Sequence, residues 1–375
     1  MKKAKRIIIK VGSSSLVNSS GALNTNMFKN IISTIKELIV EGNSVALVTS
    51  GAIAVGMGKL GLDKKPKNMA LKQACAALGQ IALMNEYEKY ALESNLLCAQ
   101  ILVNHDDFEN RNRMFNLTNT FEELFNNNIL PIINENDALA VDEIKVGDND
   151  TLSALIAPMI SADLLILASD IDGLYNKNPK VYKDAVKIEC IEKIDSTVDD
   201  MVGEITSNVG TGGMETKIKA GRIATKAGCD MVILSSEDIN KIPDLLKGEK
   251  IGTLFKSEEK IMHSKDHWIV YNAYAKGTII VDDGAKEAIL NRKSLLPSGI
   301  IEVKGNFKDG CVVFISDKNN KCIAKGITNY NSYDINNISG LHSEEAKEII
   351  HGNKKEVIHA NSLVILKGEE YGKVR

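Results

Sequence analysis

What this chain lacks narrows its chemistry before any motif is found. Its 375 residues include six cysteines, Cys75, Cys98, Cys190, Cys229, Cys311 and Cys322. They are scattered, with no CxxC pair and no disulfide-like spacing, which points to reduced thiols in a cytosol. The formal net charge is −3, so there is no electrostatic footprint for nucleic acid. No stretch approaches the roughly 18 apolar residues of a membrane span. The basic start, "MKKAKRIIIKVGSSS", holds only a short isoleucine run, too brief for the core of a signal peptide. A cytoplasmic protein without membrane association is expected. Nucleotide signatures are missing too, with no GxxxxGK[ST] loop and no GxGxxG following a strand; the GxSxG elbow of serine hydrolases is absent as well. His263 and His267 are spaced i, i+4, yet they lie in a charged stretch without the glutamate of an HExxH motif. They read as a solvated pair, and no protein metal site is assigned. Cys75 and Cys98 stand in apolar surroundings and read as packing residues.

What is present has a clear order. Hydrophobic residues make up 44% and charged residues 25% of the chain, an ordinary globular balance in a length that allows two or more domains. Short β-branched runs end in polar or glycine loops. "RIIIKV" runs into "GSSS", "SVALVTS" into "GAIAVG", "ILPII" into "NENDA", "DLLILA" into "SDIDGLY" and "DMVIL" into "SSED". Helical patterns such as "MFKNIISTIKELIVEG", "MALKQACAALGQIALMNEYEKYALES" and "METKIKAGRIATKAG" lie between them. Continuous apolar strands alternating with helices predict an α/β fold, a three-layer sandwich around a mainly parallel sheet. In such sheets ligands bind beyond the carboxyl ends of the strands, where these polar loops would gather. The pattern persists to about residue 255. A charged stretch, 259–276, reads as a linker between a domain spanning 1–258 and one spanning 277–375. The second is rich in short strand-like runs ("GTIIVDDGA", "SGIIEVKGNF", "DGCVVFIS", "CIAKGITNY") and reads as a small β-rich barrel or sandwich.

Glycine, hydroxyl and lysine recur at the strand-to-helix turns. Lys10 ends the first strand and is followed by Gly12 and three serines; Ser50, Gly51 and Ala52 open a helix; Gly210, Gly212 and Gly213 precede a helix carrying Lys217. Glycines let backbone N–H groups approach an anion, the helix dipole favours it, and a lysine adds a point charge for phosphate oxygens. Three such turns, with the Asx clusters "NENDA" and "GDND", suggest a polyphosphate site. No histidine lies in any of these loops. Attack by a hydroxyl usually enlists a base, whereas a carboxylate is already anionic and needs mainly charge neutralisation. The site is compatible with phosphorylation of a carboxylate.

In order along the chain, "KVGSS", "VTSGAIAVG", "PIINENDA", "KVGDNDTLSA", "SDIDGLY" and "GTGGMETK" resemble the glutamate 5-kinases of the amino acid kinase superfamily. The resemblance covers essentially the whole chain, and its C-terminal part looks like a PUA domain. It implies ATP-dependent phosphorylation of the L-glutamate side-chain carboxylate to L-glutamyl 5-phosphate, the first step of proline biosynthesis from glutamate. Mg²⁺ would accompany the nucleotide, and a homo-oligomer inhibited by proline is implied. Carried over by motif, Lys10 and Lys217 would neutralise charge on the transferring group, and Asp150 would orient them. Ser50, Asp137 and Asn149 would hold glutamate, with Asp137 accepting from the α-ammonium and Asn149 offering a two-sided amide. Lys10, Ser169, Asp170, Thr211, Gly212, Gly213, Met214, Glu215, Thr216 and Lys217 would line ATP. Ser169 stands where Thr is as common, and Glu215 where a smaller residue is frequent.

Aspartokinase and acetylglutamate kinase share the sheet and phosphate logic. The paired Asx clusters and the β-rich tail argue against both. An RNA-binding role is disfavoured, because residues 277–375 balance Lys/Arg against Asp/Glu and lack a basic face.

Overall fold

Strand β1 (Arg6–Val11) is built on the apolar run Ile7–Ile9, and every residue after Arg6 is buried. A strand sends alternate side chains to opposite faces, so a run apolar at every position must be covered on both sides. The computed structural model describes residues 5–18, 21–139, 148–179, 181–205, 213–258, 275–342, 345–346, 349 and 356–366, and β1 lies inside its first sheet. The chain divides into two compact units, Met1–Ile261 and Met262–Arg375.

The first unit is built on strands β1, β2 (Ser44–Val48), β3 (Leu97–Val103), β4 (Ile129–Glu135), β5 (Leu164–Ser169), β6 (Cys190–Ile191), β7 (Asp230–Ser235) and β8 (Thr253–Phe255). Their order is β3-β4-β2-β1-β5-β7-β8-β6. Pairings from β3 through β7 are parallel, and β8 runs antiparallel to β7. Helices α1 (Ser13–Leu16), α2 (Thr25–Val40), α3 (Ala52–Lys59), α4 (Met69–Glu93), α5 (His105–Glu109), α6 (Arg111–Asn126), α7 (Asn149–Met159), α8 (Ser196–Ile205), α9 (Met214–Lys226) and α10 (Ile242–Lys247) complete the unit.

Alternation along β1 decides where Lys10 goes. Ile7 and Ile9 belong to the core made with Phe28, Ile31, Ile32 and Ile35 of α2 and Leu83 and Tyr87 of α4. Ile8 belongs to the opposite core, with Leu152, Ile156, Ile218 and Ala220 from α7 and α9. Each fully buried isoleucine contributes about 1.5–3 kcal/mol, so the register is strongly set. Lys10 follows Ile8 by two residues and therefore shares the α7/α9 face.

On the other face, α3 and α4 cross at glycines. A Cβ on Gly79 would come within 1.8 Å of the Ala52 carbonyl oxygen, and one on Gly56 within 1.8 Å of the Cys75 carbonyl oxygen. Only glycine admits backbones that close. Cys75 is fully buried at this crossing, while Cys98 on β3 is half-buried.

The second unit holds a five-stranded sheet, ordered β10-β9-β11-β12-β13. Its strands are β9 (Thr278–Val281), β10 (Ile300–Lys304), β11 (Val312–Ser316), β12 (Cys322–Ile327) and β13 (Leu363–Ile365), with helices α11 (Asp283–Leu290) and α12 (Ser332–Ile338). Ile279, Val281, Val313, Ile315, Ile289 and Ile335 form its core. Among the described residues, no helix is long and apolar enough to cross a membrane. His263, His267 and most of the 259–276 stretch lie outside the described residues.

Candidate active site

The chain leaves β1 for β2 on one side and, after β4, crosses to β5 on the other, so the topological switch falls at β1. Ligands in parallel α/β sheets bind outside the strand ends at such a switch. Lys10 stands there, paired with Val48 of β2 and Leu167 of β5.

Facing it is the start of α7. Residues 150–159 of this helix are all buried. Asp148 caps it, accepting from the Thr151 N–H at 2.8 Å and the Thr151 hydroxyl at 3.1 Å. Burial pushes the Asp148 carboxyl above its ordinary range, with the Thr151 bonds acting in the opposite direction. The cap fixes the next two residues, Asn149 and Asp150, at the strand ends.

Asp150 is 1% exposed and sits between two ammonium groups. Lys10 Nζ lies 2.6 Å from its Oδ1, and Lys217 Nζ lies 3.1 Å from its Oδ2. Thr216 Oγ1 lies 3.1 Å from the same Oδ2 and 2.8 Å from the Gly213 carbonyl oxygen. Burial by itself would raise the Asp150 carboxyl; the charges of Lys10 and Lys217 outweigh it and hold the group below the usual carboxylate range. Two buried cations against one buried anion leave a net positive charge, a favourable setting for an incoming anion. α9 packs on α7, and its phase separates its lysines: Lys217 is buried whereas Lys219 is exposed.

Next to this cluster is a set of amides. Asn149 Nδ2 lies within donating distance of the Thr49 carbonyl at 2.7 Å, Ser50 Oγ at 2.7 Å and Asn134 Oδ1 at 3.1 Å. Its two hydrogens are thus shared among three acceptors, and its carbonyl oxygen is the half left over. Ser50 is held by Gly51, whose φ of +99° turns β2 into α3; a side chain there would be strained. Asp137 is half-buried in the turn after β4.

On the β5 side, Ser169 is buried and its hydroxyl donates to Asp170 Oδ1 at 2.9 Å. Asp170 is exposed, as are Gly213 and Glu215, while the Met214 side chain is buried with the α7/α9 core. Thr211 and Gly212, with Gly210 before them, lie outside the described residues. The structure therefore brings together Lys10, Asp150, Lys217 and Thr216, and separately Ser50 with Asn149. Asn134, Thr49, Asp148 and Gln80 join these sets without having been singled out from sequence. Asn134 and Asp148 lie inside the quoted Asx clusters; Gln80, in the middle of a 25-residue helix, carries no sequence signal.

The Amino acid kinase family model matches residues 5–235 and the PUA domain model residues 277–350. The chain belongs to the amino acid kinase family, in its glutamate 5-kinase branch. It is 43% identical to a glutamate 5-kinase of Thermoanaerobacter sp. (strain X514), over 98% of this chain and all of that protein. It is likewise 43% identical to a glutamate 5-kinase of Carboxydothermus hydrogenoformans, over 98% of this chain and 99% of that one. Among solved structures, carbamate kinase from Giardia lamblia bound to AMP-PNP aligns with 69% of this chain and all of its own, at TM-score 0.50 and 17% identity. That likeness shows the family fold alone.

Proposed function

We propose that this protein transfers the γ-phosphoryl group of ATP to the side-chain carboxylate of L-glutamate, in the first step of proline biosynthesis from glutamate. The observation that carries the reading is the Lys10–Asp150–Lys217 cluster at the switch point, in a family member that aligns end to end with glutamate 5-kinases. A glutamate carboxylate oxygen forms a bond to the γ-phosphorus. The bond from that phosphorus to its bridging oxygen breaks, and the electron pair leaves on ADP. No proton needs to move, which suits a site with no histidine. Lys10 and Lys217 neutralise the equatorial oxygens as charge redistributes, and Asp150 holds both ammonium groups in place.

The amino-acid end falls to Ser50, Asp137 and Asn149. The Asn149 donor half is already committed to Thr49, Ser50 and Asn134, so its carbonyl oxygen is offered, an acceptor suited to the α-ammonium. The nucleotide falls to Ser169, Asp170 and the start of α9. Gly213, at the α9 N-cap, has no side-chain cap, and a Cβ there would meet nothing within 4 Å among the described residues. A glycine there leaves the start of α9 open to close approach of a phosphate. Mg²⁺ would arrive with the nucleotide substrate, since both Asp150 carboxylate oxygens are taken by lysines. Such a site suits an ion that arrives on phosphate oxygens with its own waters. Proline shares the α-carboxylate and nitrogen of glutamate and fits the same amide pocket as an inhibitor.

The test is ATP- and Mg²⁺-dependent formation of the hydroxamate from L-glutamate in hydroxylamine, run beside aspartate and N-acetylglutamate. Glutamate is expected to dominate; equal turnover of either competitor overturns the assignment. The free amine should matter, because Asp137 facing an uncharged amide has no ion to pair.

A further inference from the structure

The direction of a buried amide relay is fixed at two points by backbone groups that act in only one sense. The Glu135 N–H donates to Asn134 at 3.0 Å, so the Asn134 atom there is its oxygen. The Thr49 carbonyl only accepts, and it lies 2.7 Å from Asn149, so the Asn149 atom there is Nδ2. Asn149 Nδ2 then donates to Asn134 Oδ1 at 3.1 Å. The Asn134 amino group is thereby turned toward Gln80 on α4, whose Oε1 accepts from it at 2.9 Å. Asn134 is 2% and Gln80 9% exposed, so water is a poor substitute for either partner. One group is left over. Gln80 Nε2 is buried and has no hydrogen-bond partner among the described residues.

A buried, unpartnered donor is destabilising. A position serving packing alone is better filled by methionine or leucine. What Gln80 supplies is its acceptor oxygen, delivered from a backbone fixed by the adjacent Gly79 crossing against Ala52. Without that oxygen the Asn134 amino group is buried with nothing to accept it. Rotating the Asn134 amide is no remedy, because it sets a donor against both the Glu135 N–H and Asn149 Nδ2. Rotating Asn149 in turn sets its oxygen against the Thr49 carbonyl. Every link is polar in one direction, and Gln80 terminates it.

We infer that Gln80 is a positioning residue for substrate recognition: through Asn134 it keeps the Asn149 carbonyl oxygen turned to the α-ammonium of the bound amino acid. The inference rests on the reading of Asn149 as a substrate ligand. It assigns no role to Gln80 in phosphoryl transfer, because the Lys10–Asp150–Lys217 cluster is held by separate contacts.

The experiment compares L-glutamate with glutarate, which keeps both carboxylates and lacks the amine. Glutamate KM, glutarate Ki, ATP KM and kcat are measured in wild type, Gln80→Met, Gln80→Glu and Asn149→Ala. Gln80→Met is expected to raise glutamate KM about tenfold, roughly 1.4 kcal/mol of lost ammonium recognition. Glutarate Ki, ATP KM and kcat should stay within about twofold. Gln80→Glu, which retains an acceptor oxygen, should restore most of the glutamate KM. Should Gln80→Met fail to fold, Gln80→Ala is read by the same ratio. A parallel rise of glutamate KM and glutarate Ki, no change in either, or no recovery in Gln80→Glu overturns the relay. If Asn149→Ala keeps the preference for glutamate over glutarate, the substrate-site reading itself fails. If Asn149→Ala loses it and Gln80→Met does not, only the role of Gln80 falls.

Discussion

Lys10 Nζ and Asp150 Oδ1 lie 2.6 Å apart, one at the end of the central strand and the other at the start of a wholly buried helix. Removing the carboxylate leaves two buried ammonium groups without their anion. Breaking a buried pair in this way costs about 3–5 kcal/mol. Asp150→Asn is expected to lose stability of that order in urea melts and at least about 10²-fold in kcat. The pH dependence follows from the depressed carboxyl. Below the ordinary pKa of 3.8 the unfolded chain takes up its proton before the folded one, so this contribution is complete above that value and is lost as pH falls through the lower folded-state value. The acid limb of stability against pH should be shallower in Asp150→Asn; an unchanged limb and near-normal kcat contradict the role given to Asp150.

Gly79 offers a structural check. With a Cβ placed 1.8 Å from the Ala52 carbonyl oxygen, Gly79→Ala must push α3 from α4. Overpacking of backbone against backbone is expected to cost about 3 kcal/mol. Because α3 begins two residues after Ser50, glutamate KM should rise with it. A variant as stable as wild type, with unchanged KM, shows that the crossing is looser than described.

Proline inhibition should be relieved by raising glutamate, and Asp137→Ala should weaken proline and glutamate together. Inhibition that ignores glutamate concentration assigns proline to a separate site.

Every site residue named here lies before Leu254, inside the first compact unit. A chain ending at residue 260 is expected to fold and to retain phosphoryl transfer. If it is soluble and folded by circular dichroism yet inactive, the second unit contributes to catalysis.

Much of this arrangement was legible in the residues because apolar strands and Asx-rich loops sit side by side. The five central strands were visible as apolar runs, and α2, α4 and α9 as helical patterns between them. β3 was not legible: it is an edge strand with Leu97 and Leu102 exposed, so its pattern is blurred. Helix α7 was hidden for the opposite reason, since burial on all sides erases the helical period that marks an amphipathic segment. In the second unit four of the five strands were visible as runs, while β13 and the short helices α11 and α12 were not. At the site, the glycine turns pointed to Lys10 and Lys217, and the family resemblance pointed to Asp150. The amides of Asn134 and Gln80 could not be found that way, because their part depends on hydrogen-bond direction between segments 54 residues apart.

The central claim is that Lys217 acts on the transferring phosphoryl group and is not simply one of the lysines of α9. Lys217 is 2% exposed and bound to Asp150, whereas Lys219, two residues along, is exposed. The direct measurement is steady-state kcat and glutamate KM for Lys217→Met beside Lys219→Met. Loss of one preplaced donor at developing charge costs about 3 kcal/mol, or 10²–10³ in kcat. That loss is expected for Lys217→Met with little change in glutamate KM, and a near-silent Lys219→Met. Equal, small effects of the two substitutions contradict the account.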